Sequence, residues 1–574
     1  MTEYLRATLR AALAALSLAA LPAYSQELPS PLPLKYEGPP TVAEITPRDL
    51  MTRIYKFADD SMMGRRVGTP WNDMGTAYIE REVRRLGLKP AGDNGTYFQK
   101  IPLVNRRLDS ASTIAVDSVK YTAGTDFVAS ANGPHVPLTS AQAVYVGAWL
   151  DTTKTLPDSE VQGKILLFTA GALPPGTNVG EFLASNGFQS WVRMRSAAAA
   201  FATVPGDRIP TSSIRAAMAS EAPAFMADSI RPSFVVTRAV AEAMLGAAFG
   251  SWPPGLAGKT VTFDLRFNDT SLPGRNVVAS LEGTDPALRG QYVAIGAHND
   301  HVGFNQRPAD HDSVKIFMQV VRPQGADSDN RPPTAEELSR IRPMLDSVRA
   351  IRPPRVDSIY NGADDDASGS MTVLEIAEKF ALAPEKPKRS ILFVWHTGEE
   401  AGLWGANYFT AFPTVPRDSI VAQLNMDMVG RGAATDVTGE TKEGDLLKGG
   451  DGYVQLIGSR RLSTELGDMI EAVNVDRRLG LRFDYAMDAN GHPQNIYCRS
   501  DHYEYAKFGI PVAFITTGGH ADYHQVTDEP QYIQYPHIAK VAELVYQTAL
   551  SAANLGHRVA VDKPKPDPKG NCIQ

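Results

Sequence analysis

The sequence predicts an α/β fold, a three-layer sandwich on a mostly parallel central sheet, with a small, mainly β domain inserted into it. Three observations lead there. From Asn276 onward, short continuous apolar runs alternate with helical patterns, as expected for strands buried on both faces. Between about Ser112 and Phe267, shorter β-type runs alternate with Gly/Pro turns. The bulk composition is that of a folded protein: 574 residues, 43% hydrophobic and 21% charged, enough to bury large cores.

In chain order, residues 1–25 read as a secretory signal peptide. Arg6 and Arg10 precede the apolar run Ala11–Leu21, and Ala23 and Ser25 are small residues before a cut at Gln26. No later run offers the ~18 apolar residues that a spanning helix needs, so the expected product is exported and free of the membrane. A Pro-rich lead-in, Leu28–Pro40, precedes a helix opened by Thr46, Pro47 and Asp49. A second helix reads from Trp71 to Leu86. Candidate core strands are Asn276–Leu281, Tyr292–Gly296, Ser390–Trp395, Val421–Asn425 and Pro511–Thr516, with helices at Ser368–Ala381 and Gly402–Phe412. The expected division is 26–125 and 271–560 for the main domain and 126–270 for the inserted one. Residues 306–357 form a polar surface insertion or lid with one helix opened by Thr334 and Glu337. Residues 561–574 read as a disordered tail.

Charge and cysteine content exclude several classes. Lys+Arg 57 against Asp+Glu 64 gives a net −7, which supplies no reason to expect nucleic-acid binding. Cys498 and Cys572 cannot build a disulfide framework or a Cys-based zinc site.

In open α/β sheets ligands bind beyond the carboxyl ends of the strands. There the sequence places His298 and Asp300, then Glu399 and Glu400, then Asp427, then Tyr523 and His524. Asp364, Asp365 and Asp366 precede the helix at Ser368. Singly each signal is ordinary: His-x-Asp is commonly a core hydrogen bond, Glu-Glu a solvated face, an Asp triplet a turn. Together, at successive strand ends, they form a set that a pair of divalent cations would satisfy. His298 and Asp427 suit one ion, Glu400 and His524 the other, with one Asp of the triplet bridging. Asp300 is placed to orient the His298 ring. Glu399, left free beside its ligating neighbour, suits a general base, and Tyr523 an oxyanion donor. His301, His502 and His520 lie near the same junctions.

The strings G-A-H-N-D-H, N-G-A-D-D-D-A-S-G, H-T-G-E-E-A-G-L-W-G, N-M-D-M-V-G and A-D-Y-H-Q-V-T-D are similar to those of the co-catalytic dizinc exopeptidase family. That family includes bacterial secreted aminopeptidases and glutamate carboxypeptidase II relatives. G-R-R-V-G-T-P and G-L-K-P-A-G-D-N-G-T-Y-F-Q-K resemble bacterial members, and Thr139–Phe267, with V-Q-G-K-I-L-L-F, resembles the protease-associated (PA) domain. The resemblance implies a zinc-exopeptidase sandwich holding two Zn2+ per chain. It implies His298, Asp365 (bridging), Glu400, Asp427 and His524 as ligands, Asp300 as orienting partner, Glu399 as base and Tyr523 as oxyanion donor. The long 306–357 segment departs from the family pattern. The expected activity is removal of N-terminal residues from peptides. The alternatives are a glutamate-releasing carboxypeptidase, for which Arg431 or Arg499 would serve as carboxylate clamp, a glutaminyl cyclase, or a non-catalytic receptor-like protein. For the PA-like domain, peptide binding, cleft capping and homodimer formation all remain open.

Overall fold

The computed structural model describes residues 28–171, 185–205, 222–227, 229–325, 328, 331–568, 570 and 572–574. The expected signal peptide lies outside the described residues. A nine-stranded mixed sheet organises the main domain. Its centre is four parallel strands in the spatial order Ser390–His396, Tyr292–His298, Ile420–Met426, Val512–Thr516. Arg275–Leu281 flanks them antiparallel on one side, with the short strands Lys89–Pro90 and Phe98–Lys100 beyond it. Tyr453–Ile457, antiparallel, and Arg482–Asp484 close the other side. The predicted core strands stand within a residue or two of their expected ends. Tyr453–Ile457 is an addition to them, a strand whose short apolar run is interrupted by Gln455.

Alternation along each strand splits the core in two. Val293, Ile295 and Ala297, with Ile391, Phe393 and Trp395, face the helices Pro47–Phe57, Gly369–Leu382, Thr464–Asp476 and Tyr535–Asn554. Ala294, Leu392, Val394 and Phe514 face Phe409 and Tyr505 on the opposite side, from the helices Trp404–Ala411 and His502–Ala506. The first helix starts as its sequence predicts, with Thr46 Oγ1 accepting the Asp49 N–H and Pro47 at the first helical position.

Residues 113–264 carry a separate eight-stranded sheet with its own cores around Phe127, Ile165, Val261 and Trp191. This sheet begins earlier than the expected 126, because Thr113–Val116 and Val119–Thr122 form a hairpin whose first strand pairs with Ala257–Asp264. A three-stranded ribbon of Leu103–Leu108, Ala222–Phe225 and Phe267–Ser271 joins the two domains. From it Phe225 stacks on Trp404 of the main domain, ring centroids 5.9 Å apart.

The 306–357 insertion contains two helices, not the one expected. Phe304–Asp310 pairs with Val356–Ile359, and between them His311–Val321 and Ala335–Arg349 pack through Ile316, Val320, Ile341 and Leu345. The predicted capping box of Thr334 and Glu337 is formed. The missed helix is capped by Asp310 and reads as a polar stretch only until its apolar face is seen against its partner. The tail also differs from expectation. Cys572 is bridged to Cys498, and Gln574 is buried. Two cysteines 74 residues apart give no pairing signal in sequence, and a Pro/Lys-rich composition hides a segment fixed by side-chain bonds.

Arg53 ties the first helix to the main-domain core. It is fully buried, its Nε donates to Glu375 (2.8 Å), and it pairs with Glu378. Replacing Arg53 by Met leaves buried Glu375 without its cation, while Glu378 keeps Arg85 at 3.1 Å, and losing the cation of a buried carboxylate typically costs about 3–5 kcal/mol. Urea unfolding of Arg53→Met, followed by the change in midpoint, is expected to show a destabilisation of that size; an unchanged midpoint would contradict the account.

Candidate metal centre at the strand ends

The centre sits where Tyr292–His298, Ser390–His396, Ile420–Met426 and Val512–Thr516 end, on the carboxyl side of the sheet. The structure brings together His298, Asp300, Asp365, Glu399, Glu400, Asp427, Tyr523 and His524, with His520 against Asp364, but His502 packs away from the centre between Tyr497 and Phe514. His298 Nε2 lies 3.1 Å from Asp365 Oδ1, 3.6 Å from Asp427 Oδ1 and 4.0 Å from Glu399 Oε2. His524 Nε2 lies 3.1 Å from Asp365 Oδ2 and 2.9 Å from Glu400 Oε2. The two oxygens of Asp365 therefore face two different imidazoles.

The turn before the Gly369–Leu382 helix explains why Asp365, of the three aspartates, is available. Asp364 accepts the Gly430 N–H and lies 3.2 Å from His520 Nε2. Asp366 accepts from the backbone N–H groups of Gly369 and Met428 through one oxygen and of His298 through the other. Asp528 takes the backbone N–H groups of Asp364 and Asp365. The outer two carboxylates are spent on the backbone, and the middle one points into the cluster. Gly362 opens this turn at φ +55°, where a Cβ would meet Asp365 O at 2.2 Å and the His301 ring at 2.6 Å, so no other residue fits without a shift.

Two sets of side chains bring their nitrogen and oxygen atoms within 4.8 Å of one another: His301, Asp365, Glu400 and His524, and His298, Asp366 and Asp427, although in the second the Asp366 oxygens are already taken by backbone N–H groups. Glu399 belongs to neither. Its backbone N–H, like that of Gly398, donates to Asp300 Oδ1. Asp300 thus positions the Glu399–Glu400 turn. It also faces His298, whose Nδ1 lies 3.1 Å from its carbonyl oxygen and 3.7 Å from its carboxylate. The hydrogen bond to the ring therefore comes from the Asp300 carbonyl, whereas its carboxylate, expected in that role, stands 3.7 Å off and holds the turn instead.

The electrostatics call for a cation. Buried His298 Nε2 has no hydrogen-bond partner, a state that buried polar atoms rarely keep. Burial raises the carboxyls of Glu399 and Asp427, and each also feels neighbouring carboxylates. Burial opposes the charge on His524, yet the bonds to Asp365 and Glu400 overcome it and hold that ring protonated up to about pH 10. A set of imidazole nitrogens and carboxylate oxygens without thiolate suits zinc.

Tyr523 stacks on His524, centroids 4.0 Å apart, and burial pushes its hydroxyl well above the usual range. It lines a cavity of about 110 Å³ with Asp365, Glu399 and Asp427 at one end and Met428, Met487, Ile496 and Phe514 along the walls. Arg499 is exposed on the same rim. Arg431 is not available there, because its guanidinium is held by Asp436 (3.0 Å) and Asp522 (3.1 Å).

His301 is the residue whose place the sequence only hinted at. Fully buried, its Nδ1 sits 2.7 Å from Glu400 Oε1 and 3.6 Å from Asp365 Oδ2. Its position three residues after His298, on the same turn, was the available signal. Ser500, which donates to Asp427 Oδ2 at 2.7 Å, and Asp528 offered none.

Comparison with known proteins agrees in kind. Residues 276–549 match Peptidase family M28. A probable leucine aminopeptidase of Arthroderma benhamiae is 30% identical over 121 residues, 20% of this chain and 33% of that protein. Leucine aminopeptidase 1 of Paracoccidioides brasiliensis is 27% identical over 203 residues, 33% of this chain and 47% of that protein. The chain thus spans between a third and a half of the length of the curated relatives it matches. Among solved structures, an aminopeptidase from Aneurinibacillus sp. strain AM-1 covers 91% of this chain and 98% of its own at 17% identity and TM-score 0.44. A zinc aminopeptidase from Bacillus subtilis covers 89% and 96% at 14% identity and TM-score 0.43. The similarity to Peptidase family M28 thus lies over residues 276–549, the part of the chain that carries the strand ends and the donor groups.

Proposed function

We propose that this protein is an exported zinc exopeptidase acting as an aminopeptidase, with two cations held by His298, Asp427, Glu400 and His524 around a bridging Asp365. The observation that carries the reading is the Asp365 carboxylate, one oxygen toward His298 and the other toward His524, each at 3.1 Å. The aminopeptidase names of the partial relatives support the same direction.

Zinc, when bound, supplies Lewis acidity that lowers the pKa of water and polarises a carbonyl. The rest is the work of side chains. Glu399, bonded to neither imidazole, takes a proton from the attacking water and returns it to the leaving amine. Its buried position favours the protonated form it must pass through. Asp300 holds that turn in place. Tyr523, protonated over the whole working range, donates its hydroxyl hydrogen to the oxygen that gains charge at the scissile carbon. The apolar cavity walls receive one substrate side chain.

The remaining proposals concern the rest of the chain. The Cys498–Cys572 bridge supports an oxidising destination, in line with the leader read at 1–25. The 113–264 sheet supports a PA-like domain. A carboxypeptidase reading draws on one observation, the exposed Arg499 on the cleft rim.

Three outcomes follow. Purified protein is expected to contain about two zinc per chain and to hydrolyse N-terminally free peptides but not N-acetylated ones; the reverse preference would favour the carboxypeptidase. Glu399→Gln is expected to lower kcat by about 10²–10⁴-fold with the zinc content unchanged, and retained turnover would remove its role as base. Asp365→Asn is expected to lower bound zinc, read by metal analysis after dialysis, whereas full retention would remove its bridging role.

A further inference from the structure

One wall of the cleft has no sheet to hold it. Residues 485–499 contain two single 3-10 turns, Ala486–Asp488 and Ile496–Cys498, and contribute Met487, Gln494, Ile496 and Arg499 to the cavity. Backbone groups in such a segment need partners outside any ladder. Many of them come from one residue, Gln574. Its side-chain amide donates to the carbonyls of Met487 and Ala489 (3.1 Å), and its side-chain oxygen accepts the Tyr497 N–H (2.9 Å). Its backbone N–H donates to Asn495 Oδ1 (3.0 Å), and its carbonyl accepts the Gly491 N–H (2.8 Å). Gln574 is 7% exposed. The Cys498–Cys572 disulfide fastens the same two segments one residue from Arg499.

We propose that the Cys572–Gln574 segment is a positioning element for substrate: it fixes the shape of the Met487–Arg499 wall and so sets affinity and side-chain preference, without taking part in the chemistry. The proposal rests on the peptidase reading above. Two features separate it from general stabilisation. Arg461 independently holds the start of the wall through Asp488 (2.6 Å) and Asn490 (3.0 Å). Ser500, just past the wall, is held by Asn425 and Asp427. Between these anchors His492 Nε2 meets the Glu440 carbonyl (3.0 Å) and Lys442 reaches the Asn490 carbonyl (2.6 Å), so loss of the Gln574 contacts loosens the stretch without releasing it and leaves the donor groups where they are.

The test uses the full chain with Gln574→Ala, and separately with Cys498→Ser and Cys572→Ser combined. Backbone hydrogen exchange, zinc content and steady-state kinetics on an unblocked dipeptide series are measured for each. Leaving buried backbone groups without partners typically changes an opening equilibrium by about tenfold or more. Exchange within 489–499 is expected to accelerate by about that factor, with exchange in the central strands and zinc content unchanged. KM is expected to rise by about tenfold and kcat to stay within about twofold. Unchanged exchange in both variants overturns the proposal, as does accelerated exchange with unaltered KM across the series. If the unaltered protein hydrolyses no peptide, the function proposed above fails, and the exchange result alone decides whether the segment holds the wall.

Discussion

Everything at this centre follows from gathering carboxylates where little water reaches them. Asp365, Glu399, Glu400 and Asp427 are drawn together at the ends of parallel strands, beside imidazoles that are themselves buried or half-buried. Such a collection is unfavourable unless protons or cations neutralise it. The cluster responds by favouring protons: against the effect of burial, the carboxylates beside His524 raise its ring to about 10, and burial raises the carboxyls of Glu399 and Asp427. Binding divalent ions would replace those protons, so metal uptake here is inseparable from proton release.

The scaffold concentrates its exactness on holding those groups rather than on the groups themselves. Around Asp365 the outer aspartates, Asp528 and the backbone of Gly430 form a closed set of hydrogen bonds. Behind them lies Arg65, fully buried, donating to the carbonyls of Phe57, Asn361 and Gly362. It adds a fixed positive charge near the carboxylates without binding one. The insertion joins the same support, since Lys315 reaches Asp522 at 2.8 Å on the turn that carries Tyr523 and His524.

Strand cores were legible because burial on both faces leaves continuous apolar runs such as Val293–Ala297. The residues gathered at this centre were legible because that fold class places chemistry after such runs. What stayed hidden depends on three-dimensional partners. The helix His311–Val321 shows its apolar face only against Ala335–Arg349. His301 reads as one more histidine in a turn until Glu400 is seen 2.7 Å away. Nothing local distinguishes Asp365 from its neighbours, because its freedom is defined by which backbone N–H groups the others accept. A lone cysteine pair and a Pro/Lys-rich tail carry no record of the loop they secure.

The stacking of Phe225 on Trp404 joins the ribbon of the smaller domain to the first residue of the helix that follows the Glu399–Glu400 turn. Gly398, at the start of that turn, packs close to the Trp404 ring. The two domains thus meet through aromatic rings directly behind the Glu399–Glu400 turn, so losing the Phe225 ring would uncover the face of Trp404 beside Gly398.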